Sequence, residues 1–151
     1  MGLSGGGADF VSSDSPAPGM FEAIFRALEA SSQPLIGKAV TRWLVIPLYD
    51  EGGLVAGGFW GCTNFQWLHV QMLFVPAPRR GRGVGAALMA SAEAEARARG
   101  CRGAHVDTFS FQAVSFYRAL GYTMFGALED YPPGHSQIYF YKRFDGGVHS
   151  N

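Results

Sequence analysis

The stretch Met72-Leu-Phe-Val-Pro-Ala-Pro-Arg-Arg-Gly-Arg-Gly-Val-Gly-Ala-Ala-Leu-Met-Ala90 constrains the fold more than any other part of the chain. Apolar residues up to Val75, closed off by Pro76 and Pro78, read as the end of a buried strand. The Ala-rich sequence after Gly85 reads as a helix, so the Arg/Gly segment between them is a strand-to-helix turn. Such a turn is built for anions. Gly81, Gly83 and Gly85 let the backbone come close to a ligand, and the start of the helix presents unpaired N–H groups with about half a positive charge. Arg79, Arg80 and Arg82 add cations whose planar forks suit phosphate oxygens. The ligand implied carries phosphates.

The rest of the composition narrows the class. With 151 residues, 48% of them apolar by type, the chain can bury one substantial core. Twelve basic and twelve acidic residues leave no net field to hold nucleic acid or an anionic membrane, so the basic cluster at 79–82 is local chemistry. Two cysteines, Cys62 and Cys101, make no disulfide framework, and no charged start followed by an apolar core marks a signal peptide. No apolar run approaches the ~20 residues of a membrane span. A soluble protein of the cytoplasm is expected, with no metal site and no nucleic-acid or membrane partner.

Along the chain, residues 1–19 are rich in Gly, Ser and Pro and are expected to be disordered, as is the tail from 145 to 151. Residues 20–144 form one expected domain. Phe21, Ile24, Phe25 and Leu28 fall at helical spacing in Met20–Ser31, a helix expected to end before Pro34. Two β-rich runs, 42–49 and 54–62, meet at Asp50-Glu-Gly-Gly53, a hairpin turn. A third run, 67–75, feeds the glycine turn. The helix beyond it carries Glu93/Arg97 and Glu95/Arg99 as i,i+4 pairs and closes at Gly100. A strand at 104–108 should lie parallel to the strand entering the turn, because a helix connects them. A short helix (111–120) and strands at 122–125 and 137–142 follow, with the loop Glu129-Asp-Tyr-Pro-Pro-Gly-His135 between the last two.

Three phosphate-binding motifs compete for the turn. A Walker loop is excluded, since no Gly-Lys-Ser/Thr follows the glycines. A dinucleotide fingerprint matches the letters Gly81-x-Gly83-x-x-Ala86, but Pro76 to Arg80 intervene between strand and glycines, and too little chain remains for a doubly wound sheet. The third pattern is Arg80-x-x-Gly83-x-Gly85 between strand and helix, with Phe116-Tyr117-Arg-Ala-Leu-Gly121-Tyr122 downstream. By these two motifs, over residues 40–143, the sequence resembles the GNAT superfamily of acetyl-CoA-dependent N-acetyltransferases. Asp107-Thr-Phe-Ser-Phe-Gln-Ala113 and Glu129 to His135 look like a bacterial subgroup of it.

The resemblance implies an α/β (α+β) fold: a mixed, mostly antiparallel sheet with helices on both faces, whose fourth strand, ending Leu73-Phe74-Val75, splays from the fifth, at 104–108. It implies that acetyl-CoA binds in that gap, its pyrophosphate held by Arg80, Gly81, Arg82, Gly83, Val84, Gly85 and Ala86. A free N–H near Phe74 or Val75 would polarise the thioester carbonyl. Tyr117 matches the tyrosine that protonates the departing thiolate. Two positions depart from the family. Gln71 stands where relatives place a basic glutamate, leaving His69 on the same strand as the nearest titratable substitute, with Gln71 as a positioner of water; alternation puts His69, Gln71 and Leu73 on one face. Ser110 stands where the family has an asparagine contacting CoA. Asp107, Glu129, Asp130, Tyr131 and His135 are candidate contacts for the acceptor. The expected reaction is direct transfer of acetyl to a primary amine of a small molecule; a peptide or protein amine, or a non-catalytic acyl-CoA-binding module, are the alternatives. Since the family's N-terminal strand and second helix are not evident, Trp60, Phe65 and Trp67 are candidates for either a homodimer contact or the core.

Overall fold

In the computed structural model, which describes residues 10–144, three apolar runs fold into a meander because short polar turns join them: β1 (Arg42–Tyr49), β2 (Val55–Asn64) and β3 (Trp67–Phe74). At the first turn the Asp50 carboxylate accepts the Leu54 N–H at 2.9 Å and the Asp50 carbonyl accepts that of Gly53 at 3.0 Å. The chain leaves β3 through a 3-10 turn at Ala77–Arg79, crosses back as α2 (Val84–Ala98) and re-enters the sheet as β4 (Gly103–Phe109). α3 (Val114–Ala119), β5 (Thr123–Glu129) and β6 (Ser136–Arg143) complete it. The strand order is β1-β2-β3-β4-β6-β5, antiparallel throughout except for the β3–β4 pair that α2 connects. The strands that the resemblance numbers fourth and fifth are β3 and β4. α1 (Met20–Ile36) belongs to a separate unit that ends before Val40.

Within residues 40–144 both helices cover the same sheet face. Leu88, Met89, Ala92 and Ala96 of α2 and Tyr117 of α3 share one buried cluster with Leu44, Phe59, Leu68, Val70, Ala104, Val106 and Phe140 of the strands. Each large side chain in it contributes about 1.5–3 kcal/mol by leaving water. Arg99, at the end of α2, ties the helix to the sheet edge by donating to the Trp43 carbonyl at 3.0 Å while holding Glu95 at 2.7 Å. The opposite face carries Trp43, Trp60, Trp67, His105 and Tyr141, and neither α2 nor α3 lies on it. Trp43 and Trp60 pack ring against ring at 5.4 Å and are 59% and 39% exposed.

Three local expectations change. α1 runs through Pro34 to Ile36, because a proline in the last turn forfeits a single helical bond, and it is Gly37 (φ 74°) that turns the chain out. α3 is shorter than expected, since the Gln112 N–H donates to the Phe109 carbonyl at 2.9 Å and residues 110–113 form a turn. Glu93, spaced to pair with Arg97 in solvent, is instead buried: it accepts the Tyr122 hydroxyl at 2.9 Å and Lys142 Nζ at 2.9 Å, with Arg97 at 3.9 Å. That carboxylate ties α2 to the Gly121 turn and to β6. Glu93→Ala strands the buried Tyr122 hydroxyl and the half-buried Lys142 and is expected to cost about 3 kcal/mol, read as a lower urea midpoint with an unchanged m-value; loss under 1 kcal/mol would show the triad to be incidental.

Candidate active site

β3 pairs with β4 only from Trp67↔Gly103 to Val70↔Val106, although both strands run on. The reason lies on the other edge of β3. There Gly61 opposes Val70 and Trp60 opposes Met72, so Gln71 is an extra residue, a β-bulge. A bulge bends its strand, and here it turns the end of β3 away from β4. It also reverses the alternation: Leu68 and Val70 face the core before it, and Leu73 and Val75 pack against the core after it, while Met72 is 59% exposed. His69, Gln71 and Leu73 therefore do not share a face as strict alternation required.

The opening this leaves is a cleft in two parts. The part at the sheet, about 350 Å³, is lined by Gln71, Leu73, Phe74, Asp107, Thr108, Gln112, Ala113 and Tyr117. The other, about 540 Å³, shares Leu73, Phe74, Gln112 and Ala113 and reaches Val75, Arg80, Gly85 and Phe116. The first therefore ends at titratable side chains and the second at the glycine turn. A larger hollow of about 680 Å³ lies beside the first hairpin, between Asp50, Glu51 and Arg79.

At the turn, Gly83 caps α2 in the left-handed region (φ 75°), and the first intrahelical bond runs from Ala87 N–H to Gly83 O. The N–H groups of Gly83, Val84, Gly85 and Ala86 are thus left for a ligand. Gly85 is where the helix meets α3: a Cβ there would stand 3.2 Å from the Phe116 ring. Arg80 braces the turn, its Nε donating to the Val75 carbonyl at 2.8 Å and its guanidinium lying over Phe74. Arg79, Gly81 and Arg82 are exposed.

At the far end, Tyr117 is 4% exposed and its hydroxyl has no protein partner among the described residues. Burial, and then the Asp107 carboxylate, push its pKa up to about 12, so it stays protonated. Asp107 accepts Gln137 Nε2 at 2.6 Å, and Gln137 in turn accepts the Tyr139 hydroxyl at 2.8 Å. His69 lies outside the cleft lining and stacks on His105 at 4.5 Å, next to an aromatic hollow formed by Trp67, His105, Phe125 and Tyr141.

The structure places the remaining candidates in structural bonds. Ser110 lies outside both linings; its Oγ accepts the Ser136 N–H at 3.0 Å and its own N–H donates to the Ser136 carbonyl at 2.7 Å, clamping the 129–136 loop. In that loop Glu129 accepts the Ser136 hydroxyl at 2.7 Å and Asp130 accepts the Gly134 N–H at 2.8 Å. Tyr131 leans on Phe109 and His135 meets Phe111 edge-on. Gln112, in the lining of both parts, was not among the sequence candidates. The available signal was faint: Thr108 and Gln112 stand four apart across a strand-to-helix junction.

Comparison with known proteins gives this arrangement its class. Residues 42–124 match the acetyltransferase (GNAT) domain. The chain belongs to that family, and it is an acyltransferase. An acetyltransferase of Agrobacterium fabrum is 39% identical over 136 residues, 90% of this chain and 99% of that one. A blasticidin-S acetyltransferase of Streptomyces morookaense is 49% identical over 85 residues, 56% of this chain and 62% of that one. A crystal structure from Agrobacterium tumefaciens superposes with a TM-score of 0.84 at 39% identity, covering 91% of this chain and all of that one. Among the described residues no helix is long and apolar enough to cross a membrane.

The histidine stack has a measurable consequence. Burial first, and then the charge of His69, hold the His105 pKa below its usual value of 6.5, with Asp107 opposing. The unfolded chain therefore binds that proton more readily than the folded one. Stability from this site is complete above the unfolded pKa and is lost as pH falls from there through the lower folded pKa. Melting temperature should drop between about pH 7 and about pH 5, and His105→Phe should flatten that drop; an unchanged slope would place the acid sensitivity elsewhere.

Proposed function

We propose that this enzyme moves acetyl from acetyl-CoA directly to a primary amine of a small molecule, with no acetylated enzyme intermediate. The observation that carries this reading is the bulge-opened cleft, which has helix-start amides at one end and a protonated tyrosine beside a carboxylate at the other. The diphosphate sits on the N–H groups of residues 83–86, with Arg80 and Arg82 beside it. The pantetheine arm crosses the gap along Leu73 and Phe74, whose main-chain groups on that side have no strand partner.

At the sheet end, the acceptor arrives as an ammonium, since an alkyl amine near pKa ~10.4 is charged at neutral pH. Asp107 is the anion that receives it. Its proton leaves through water held at Gln71, because an amide cannot take the proton itself. The freed lone pair attacks the thioester carbon, and the oxyanion that forms is met by main-chain N–H groups of the splayed strand. As the C–S bond breaks, Tyr117 passes its proton to sulfur and regains one from the nitrogen, which sheds its second proton on becoming an amide. A thiolate whose thiol has a pKa near ~8.5 is a weaker base than Tyr117's phenolate, but the buried cleft that raises the tyrosine raises the thiolate's proton affinity as well. His69, stacked on His105 outside the cleft, is a less direct base than water at Gln71. The similarity to a blasticidin-S acetyltransferase supports a small-molecule acceptor and puts blasticidin S first in an amine panel. Transfer to protein lysines with none to small amines would refute this choice of acceptor.

Tyr117→Phe is expected to lower kcat by about a hundredfold while KM for acetyl-CoA stays within about twofold. Wild-type kcat should not fall at alkaline pH from this group before about pH 10, since it holds its proton to about pH 12. Equal turnover by the variant would remove Tyr117 from the mechanism. Gly83→Val, at φ 75° with nothing near its Cβ, strains the helix cap without a clash. It should raise KM for acetyl-CoA about tenfold and leave kcat near wild type; an unchanged KM would detach the turn from the diphosphate.

A further inference from the structure

Gln112 occupies the turn between β4 and α3, and its amide is fixed at one end. Its Oε1 accepts the Phe109 backbone N–H at 3.1 Å and the Thr108 hydroxyl at 3.2 Å. A backbone N–H can only donate, so this bond decides which end of the amide is oxygen. The two N–H groups of Nε2 are left over, and among the described residues no protein group accepts them. The side chain also stands at the junction of the cleft. It lines the part that ends at Asp107 and Tyr117 and the part that ends at Arg80 and Gly85.

A carrier arm that reaches from the glycine turn to Tyr117 must pass this junction. On the β3 wall, the backbone beyond the bulge can pair with it. The β4 wall has no such offer, because Thr108 and Phe109 are engaged with Gln137 and Ile138 of β6 on their far side and with Gln112 here. The unspent donor on that wall is Gln112. We infer that Gln112 is a coenzyme-binding residue, donating its side-chain N–H to an amide carbonyl of the pantetheine arm, midway between the phosphates and the thioester. This rests on the reading that acetyl-CoA lies in the gap, and it assigns to Gln112 the contact that the resemblance had implied for position 110.

Gln112→Glu is the discriminating change. The carboxylate keeps an oxygen for Phe109 and Thr108 but presents oxygen, not N–H, to the arm. Calorimetry should show CoA bound about tenfold more weakly than by wild type. Its phosphoadenosine diphosphate fragment, which lacks the arm, should bind as before. Melting temperature should stay close to wild type. CoA binding at wild-type strength, or equal weakening of CoA and the fragment, would overturn the assignment, the latter because the new charge would then be acting on the phosphates. Should the carboxylate unsettle the fold, Gln112→Met, neutral and similar in length, is read against the same two ligands. Failure of the wild type itself to bind CoA would instead overturn the reading beneath.

Discussion

One surplus residue on β3 determines what this sheet can do. Had Gln71 paired in register, β3 and β4 would have continued side by side to Phe74 and Phe109, leaving the sheet with a continuous centre and no ligand gap. The bulge ends the ladder after Val70↔Val106. Parallel strands tolerate this because α2 holds their far sides to one core, through Met89 and Ala92 beneath Leu68, Val70 and Ala104. The same insertion reverses side-chain phase, so that Leu73 and Val75 continue the core under the turn while Gln71 faces the opening. One backbone irregularity thus opens the cleft, supplies unpaired main chain along one wall, and fixes which side chains line it.

The rest of the site depends on rigidity around that gap. Glu93 draws Tyr122 and Lys142 onto α2, and Tyr122 packs edge-on against Tyr117, so the buried carboxylate indirectly sets the position of the proposed acid. Burial also holds the Tyr122 hydroxyl well above its usual pKa, keeping it a donor to Glu93. Ser110 and Ser136 clamp the loop at 129–136 against the start of α3. A tyrosine proposed to meet a sulfur atom within hydrogen-bond reach needs such fixed surroundings, since a misplacement of about 1 Å costs much of the benefit of proximity.

Much of this was legible in the sequence because it is local. Strand and helix periods, the hairpin at Asp50–Gly53, the glycine turn, and the parallel pairing demanded by a helical crossover all follow from neighbours in the chain. What was not legible depends on register or on distant partners. Gln71 as a bulge cannot be read from β3 alone, because it is defined by Trp60 and Gly61 on β2. Glu93 has good i,i+4 spacing to Arg97, yet its partners come from residues 122 and 142. Ser110 matched a family position, and only the contact with Ser136 shows where its hydroxyl is engaged. Gln112 is a polar residue in a turn until the Phe109 amide fixes which way it faces.

These differences divide the cleft into two kinds of recognition. In the proposed reaction, donor binding draws mainly on backbone: helix-start N–H groups, a glycine cap, and the unpaired edge of β3. Backbone contacts survive side-chain replacement, which suits a fold held at a TM-score of 0.84 while 39% of residues are shared. The sheet end of the cleft, by contrast, is lined by side chains: Asp107, held through Gln137 to Tyr139, stands across from Gln71. Each of these can change without disturbing the ladder beneath it. A pocket built this way would keep the proposed backbone contacts under wide sequence drift while the side chains at its sheet end change.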